Sequence, residues 1–376
     1  MRIMIVNTLY HPNKVGGAEV SVQLLAEELA RKGHKVRVIC LHQRKERVKN
    51  TINDVEVVYL PLKNIYWPFD DERKGKIQRL IWHIIDSYNI FMARAISKEI
   101  NHFSPDVVHT NNIAGFSVAI WSAIKNTGSR LIHTSRDYYL FHPNSTMFSQ
   151  NRNMGPEESS VKLWSFGKKK ASKNVDLYIG ISDFIREFHI KNGFFPNAKS
   201  EYIYNAVEKM PIDNVESKEL RFGFIGRLTK DKGFDVYCEL VDRFKDKYPT
   251  AKFYAAGRFI GSESGEELEG LAKRKGVNLL GFIPASQFLS QVDIVVLPIK
   301  WREPFGRVVL ESVLANKFVL TNAVGGISEL GKLFPIIYFM EDMDKIDFSI
   351  KNFEVTNDVL FNCSEITNKY VAAYTR

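Results

Sequence analysis

Glu303-Pro304-Phe305-Gly306-Arg307-Val308-Val309-Leu310-Glu311 sets two carboxylates with seven residues between them on a segment that passes from turn to helix. Pro304 fixes φ just ahead of the first helical turn, and Gly306 lets the backbone approach a ligand with no Cβ in the way. Val308, Val309, Leu310, Val313 and Leu314 follow the period of a buried helix, which puts Glu311 about two turns in and Glu303 before the start. The amides at such a helix start, together with its dipole, favour an anion without help from a metal. Two acids flanking a phosphate cradle suit a ligand that is anionic in the middle and hydroxylated at both ends. A nucleotide sugar has that form.

Outward from this stretch the chain alternates short apolar runs with helical periods. Residues 2–7, 35–41, 106–110, 130–134 and 176–181 are strand-like, each followed by a helix or loop. That is the pattern of a parallel sheet covered on both faces. It restarts at 220–225, 251–256, 278–280, 293–297 and 318–321, with helical stretches such as 232–247 and 265–275 between them. Residues 205–220, with Pro211, Asp213, Asn214 and Ser217, have no period and read as the linker. The expected fold class is α/β, two doubly wound Rossmann-like domains facing a cleft, with ligands beyond the carboxyl ends of the strands. Between 76 and 103, Ile77, Leu80, Ile81, Ile84, Ile85, Tyr88, Phe91, Met92, Ala95 and Ile96 form one helical stripe opposite Arg79, His83, Asp86, Arg94 and Lys98. Packing on the first sheet is the usual fate of such a stripe. A membrane-apposed helix is the alternative, with Trp67, Trp82 and basic residues nearby.

The 376 residues are 45% apolar, enough for a core in each of two or three domains of ~150 residues. Cys40, Cys238 and Cys363 show neither a disulfide framework nor zinc spacing, so a reducing compartment is expected. The start reaches polar Asn7 too soon for a signal peptide, and no apolar run approaches the ~18 residues that span a bilayer. A cytoplasmic protein, peripheral at most at the inner face of the membrane, is the expectation. The net charge of +9 gathers in Arg31, Lys32, Lys35, Arg37, Arg44, Lys45, Arg47 and Lys49, and again in Lys162, Lys168, Lys169, Lys170 and Lys173. Solvated faces account for most such clusters, and an anionic membrane surface is the next reading. Nucleic acid is not an expected partner, because no recognised binding motif accompanies the charge.

The Glu303–Glu311 segment resembles the E-x7-E signature of the retaining nucleotide-sugar glycosyltransferases of family 4, and three other places share the resemblance. They are the opening Met1-Arg-Ile-Met-Ile-Val-Asn7 with its Gly16-Gly17-Ala18-Glu19 loop; Phe222-Gly-Phe-Ile-Gly226-Arg227-Leu228 followed by Lys230, Lys232 and Gly233; and Gly325-Gly326-Ile327-Ser328-Glu329. The resemblance implies the GT-B fold, with an acceptor-side domain over 1–205, a nucleotide-sugar-binding domain over 206–361 and a last helix, 362–376, returning to the first domain.

Transfer of a sugar breaks the bond between anomeric carbon and diphosphate, and fixed cations stabilise the charge that gathers on the leaving group. By resemblance Arg227 and Lys232 sit on the two phosphates, Glu303 takes hydroxyls of the transferred sugar, and Glu311 accepts the ribose hydroxyls. Phe305, Gly306 and Arg307 would supply backbone amides to the donor. Gly16 and Gly17 either close on the diphosphate or form a simple tight turn, while Glu19 reads as a helix cap. On the acceptor side stand His109, Asn111 and Asp137. His109 is either a cleft residue or a satisfied strand-end histidine. Asn111 stands where many relatives carry a second His, and it cannot carry a proton at neutral pH. Arg136 replaces the His that usually precedes the Asp. No D-x-D pair sits in a strand-end loop, and Asp70-Asp71 lacks that context, so no metal and no other cofactor is expected. The implied activity is retaining transfer from a UDP- or GDP-sugar to a glycan acceptor, such as a lipid-linked O-antigen or capsule precursor. A nucleotide-sugar epimerase or phosphorylase of the same architecture, or a non-catalytic carbohydrate- or lipid-binding protein, are the alternatives.

Overall fold

A computed structural model of the protein describes residues 1–13, 16–70, 74–213, 215, 217–346, 348 and 357–376, with 262 and 263 as backbone only. Asp71 and Asn214, singled out above, lie outside the described residues. The chain divides into two compact units, one formed by 1–147, 154–206 and 361–376, the other by 148–153 and 207–360.

The first unit runs β1 (Arg2–Val6), α1 (Gly17–Arg31), β2 (Lys35–His42), β3 (Val48–Ile52), β4 (Val55–Pro61), α2 (Lys76–Ser87), α3 (Ile90–Phe103), β5 (Val107–Thr110), α4 (Ala119–Lys125) and β6 (Arg130–Ser135). Beyond the hairpin β7 (Phe148–Ser149) and β8 (Arg152–Asn153) it continues with α5 (Ser159–Ala171), β9 (Leu177–Gly180), α6 (Asp183–Lys191) and β10 (Lys199–Tyr202). The sheet order is β10-β9-β6-β5-β1-β2-β4-β3, parallel except for β3. Sequence reading did not find β3 and β4. They meet at Asn53-Asp54, both at positive φ, the two-residue turn that matches strand twist. Lys49, Asn50 and Thr51 face solvent at the sheet edge, so β3 carries no apolar signal.

The second unit contains β11 (Arg221–Ile225), α7 (Phe234–Lys247), β12 (Lys252–Ala256), α8 (Ser262–Lys275), β13 (Asn278–Leu279), α9 (Ala285–Leu289), β14 (Ile294–Leu297), α10 (Arg307–Leu314), β15 (Phe318–Thr321), α11 (Ile327–Leu333) and β16 (Ile337–Phe339). Its sheet is parallel throughout, in the order β13-β12-β11-β14-β15-β16. Phe222 stacks on both Phe244 and Phe253 in its core. The last helix, α12 (Cys363–Thr375), belongs to the first unit, where Ile366, Tyr370, Ala373 and Tyr374 join the cluster around Ile3, Ile5 and Leu25. Each such buried aliphatic contributes roughly 1.5–3 kcal/mol by leaving water.

The stripe between 76 and 103 does not form one helix. α2 stops at Ser87, and Asn89 caps α3, its Oδ1 accepting from the amides of Phe91 and Met92. α3 buries Met92, Ile96, Ile100 and Phe103, as core packing requires. α2 does the reverse and corrects the core reading there. Trp82 and Asp86 point inward while Ile77, Leu80, Ile81 and Ile84 face solvent, Ile77 at 75% exposure. Among the described residues no helix is long and apolar enough to cross a membrane.

Three histidines are sealed inside the first unit. His109 is fully buried, Nδ1 bonded to the Tyr374 hydroxyl and Nε2 to Thr134 Oγ1, both at 2.7 Å. That is the satisfied strand-end placement, and it removes His109 from any surface open to an acceptor. His133 bonds Thr110 and His189 bonds the Ile185 carbonyl. Burial lowers all three, His109 to about 3, His189 to about 4 and His133 well below the ordinary value. The unfolded chain therefore takes up these protons below pH 6.5 while the folded chain does not, and stability falls as pH drops from there. Asp86 and Asp137, pushed up by burial to about 6, act in the opposite direction but are fewer. His109→Gln should flatten the loss of stability between pH 6.5 and 4 by on the order of 1 kcal/mol per pH unit, read by urea unfolding at a series of pH values. An unchanged slope would show that His109 takes a proton in the folded state.

Candidate active site

In the second sheet the chain leaves β11 toward β12 on one side and reaches β14 on the other, so the strand order reverses between β11 and β14. Loops at such a reversal splay apart and leave a crevice at the carboxyl ends of the strands. The β11 loop carries Gly226, Arg227, Lys230 and Lys232, and the β14 loop runs from Pro298 to Gly306. Gly233, at φ 80°, starts α7 so close to the second loop that a Cβ there would lie 1.9 Å from the Pro298 carbonyl oxygen. Only glycine permits that approach.

Lys232 and Glu303 meet across the two loops, Nζ to Oε2 at 2.6 Å, with both side chains mostly buried. The Lys232 ammonium also sits over the Trp301 ring, 4.7 Å from its centre. A cation there is held by a carboxylate and by the face of an indole at once. Arg227 is about half exposed and reaches Asp231 at 3.2 Å, while Lys230 turns away to Glu267. Lys300 pairs with Asp235 at 2.7 Å. The structure thus joins two of the predicted catalytic residues directly and leaves Arg227 on the open side of the same loop.

Glu303 to Gly306 forms a turn gripped from behind. The Gly326 amide donates to the Glu303 carbonyl at 2.8 Å, and a Cβ on Gly325 would lie 2.1 Å from that same oxygen. A Cβ on Gly326 would lie 2.5 Å from the Pro304 carbonyl oxygen. Gly306 is at φ 92° and starts α10 with no side-chain cap, and a Cβ on it would press on Ile327. Its glycine thus answers to chain direction and packing as well as to ligand approach. Phe305 is buried in the core, which anchors the turn. Arg307 Nε bonds Glu311 Oε1 at 2.7 Å one turn along the helix. Burial raises the Glu311 carboxyl, and the Arg307 guanidinium partly offsets that.

In the first unit Gly16 is the exposed N-cap of α1 and Gly17 its first residue, with Gly16 N–H bonded to Glu19 Oε2 at 2.9 Å. Glu19 is the helix cap that its position implied. Asn111 is buried just past the end of β5 and accepts from Arg136 Nε at 2.9 Å, while its Nδ2 has no partner among the described residues. Arg136 also donates to Asn205. Burial works against the charge of this guanidinium, and its hydrogen-bond partners are neutral groups. Asp137 Oδ1 accepts from the Tyr139 amide at 2.8 Å, and burial pushes the carboxyl up to about 6.

Trp301 was missed by sequence reading, although an aromatic two positions before the first signature acid was a visible signal.

Two α/β units, each built on a largely parallel sheet, have the Rossmann-like architecture of the GT-B fold. Residues 15–209 match the model described as Glycosyltransferase Family 4, and residues 219–334 match that of Glycosyl transferases group 1. The chain is 46% identical to an uncharacterised 42.6 kDa protein in the cps region of Klebsiella pneumoniae, over the full length of both. It is 26% identical to the phosphatidylinositol N-acetylglucosaminyltransferase GPI3 subunit of Saccharomyces cerevisiae, over 84% of this chain and 67% of that one. Among solved structures it resembles sucrose-phosphate synthase from Thermosynechococcus elongatus, at TM-score 0.74 and 15% identity over 100% and 98% of the two chains. Anabaena HepE in complex with UDP gives TM-score 0.68 at 15% identity, with both chains fully covered. The chain belongs to glycosyltransferase family 4, among the group 1 glycosyl transferases.

Gly325→Ala should destabilise the second unit by more than about 2 kcal/mol and abolish turnover, since the new Cβ meets backbone that cannot yield. Chemical unfolding of the variant checks this, and near-native stability would mean that the turn shifts freely.

Proposed function

We propose that the protein transfers a hexosyl group from a UDP- or GDP-sugar to a glycan acceptor, with retention of configuration and without a metal. The observation that carries this is the Lys232–Glu303 pair at the strand reversal, on the same turn that leads through an uncapped helix start to Glu311. Lys232 and Arg227 neutralise the diphosphate, Glu303 orients the sugar and Glu311 holds the ribose. As the bond from anomeric carbon to phosphate oxygen breaks, the acceptor oxygen forms its bond on the same face. Its proton passes to the departing phosphate oxygen, and nucleoside diphosphate leaves. Each cation acts more strongly on the departing diphosphate than on the intact donor, which is what accelerates the step.

The acceptor is a lipid-linked surface-polysaccharide precursor reached from the cytoplasmic side. The relative in a cps region supports this, as does the outer face of the first unit. There α2 and α5, in contact through His83 and Trp164, expose Ile77, Leu80, Ile84, Leu163 and Phe166. From 159 to 173 the chain has five lysines, of which only Lys168 is buried, and no acid, and Lys76 and Arg79 lie on α2. An anionic lipid surface complements that mixture of apolar and basic groups.

Ala substitution at Arg227 or Glu311 should lower activity more than about a hundredfold. Thermal-shift measurements with UDP- and GDP-sugars should show stabilisation unchanged by EDTA. Loss of the shift on chelation removes the metal-free part, and no response to any nucleotide removes the donor assignment. The protein should sediment with phosphatidylglycerol vesicles and not with phosphatidylcholine alone, and Leu80→Glu/Ile84→Glu should abolish this. Failure to bind either vesicle would remove the lipid partner.

A further inference from the structure

The second unit takes one piece of chain from far upstream, the hairpin Phe148–Asn153. Phe148 pairs with Asn153 and Ser149 with Arg152, and Gln150 and Asn151 make the turn, both at positive φ. A two-residue turn of that hand is favoured by strand twist, so the hairpin is locally well determined. Its last side chain reaches the β14 loop. Asn153 Nδ2 donates to the Lys300 carbonyl at 3.0 Å, and Asn153 Oδ1 accepts from the Arg302 amide at 3.0 Å. The two partners fix which end of the amide is which, since a carbonyl only accepts and an amide N–H only donates.

One side chain thus holds the backbone on both sides of Trp301. Asn151 adds a weaker bond from Lys300 Nζ at 3.3 Å, and Asn322 Nδ2 bonds the Ile299 carbonyl at 3.0 Å. Trp301 is buried, and its ring lies under the Lys232 ammonium that pairs with Glu303. The order of support runs from Asn153 to the Trp301 backbone, to the ring, to Lys232.

We propose that Asn153 is a positioning residue for sugar transfer, fixing Trp301 so that Lys232 meets the departing diphosphate. This rests on the reading of Lys232 and Glu303 as the donor site. Asn suits the task because it carries a donor and an acceptor on one short planar group. Asp keeps the acceptor for Arg302 but has no donor for the Lys300 carbonyl at neutral pH, and Ala has neither.

The test combines Asn153→Ala, Asn153→Asp, Lys232→Ala and the double variant Asn153→Ala/Lys232→Ala. Release of nucleoside diphosphate from a panel of UDP- and GDP-hexoses gives kcat and donor KM. Asn153→Ala should lower kcat about tenfold or more with donor KM within about threefold, because a small misplacement costs the reacting state more than binding. Asn153→Asp should fall between it and the parent. The double variant should be no slower than Lys232→Ala alone, the signature of two residues acting through one another. Hydrogen exchange in the peptide 299–306 should quicken in Asn153→Ala while the β11 and β15 peptides keep their rates. Unchanged exchange at 299–306, full kcat in Asn153→Ala, or losses that add fully in the double variant would each overturn the proposal. Full turnover by Lys232→Ala, or none by the parent protein on any sugar nucleotide, would instead overturn the donor-site reading, leaving the exchange measurement to decide whether Asn153 holds the loop.

Discussion

The loop between β14 and α10 has no regular structure of its own, and its shape comes from backbone pressed on backbone. Gly233 lies against Pro298, and Gly325 and Gly326 lie against Glu303 and Pro304. At each contact the missing Cβ is the reason the surfaces meet at all. A loop fixed this way loses little further entropy when a ligand arrives, which is the condition for precise transition-state contacts. The sheet reversal between β11 and β14 supplies the space, and the glycines supply the fit.

Within that frame the Lys232–Glu303 pair has a double character. Two partly buried opposite charges offset one another's desolvation, so each of this pair is compensated by the other. On the proposed reading, a diphosphate beside Lys232 would compete with Glu303 for the ammonium, and a sugar beside Glu303 would offer it hydroxyl donors instead. Donor and protein would then exchange partners rather than create charge, which would favour a ligand that brings both groups together. The Trp301 ring face attracts the ammonium as well.

Much of this is legible in the amino-acid sequence. Parallel strands buried on both faces announce themselves as apolar runs, and β1, β2, β5, β6, β9, β11, β12, β14 and β15 all fall on the runs read from sequence. The edge strand β3 did not, because its outward residues are polar. Glu303, Glu311 and Lys232 were found through spacing and family resemblance, which also gave the order of the loops. Their mutual distances were not, because a contact between Lys232 and Glu303 spans seventy-one positions. His109 shows the opposite failure. Its strand-end position is the same whether it faces a ligand or Tyr374, and only packing decides between them.

The inverted helix α2 argues that an exposed apolar surface can be built in rather than tolerated. Its inner side carries Asp86, whose Oδ1 accepts from the Gly115 amide at 2.5 Å, in the field of the buried Lys168. Lys168 in turn donates to the Tyr139 carbonyl at 2.6 Å and lies over the Tyr139 ring. Rotating α2 to bury Ile77 and Ile84 would carry Asp86 out to water and leave the buried Lys168 with Asp137 as its remaining acid. Weakening a buried charge cluster in this way costs stability that opposes the gain from burying the aliphatic side chains. The inner charges therefore resist turning the apolar face inward, and α5 extends that face with Leu163 and Phe166 on a lysine-rich helix. The same residues that stabilise the interior thus keep an apolar surface open on the first unit.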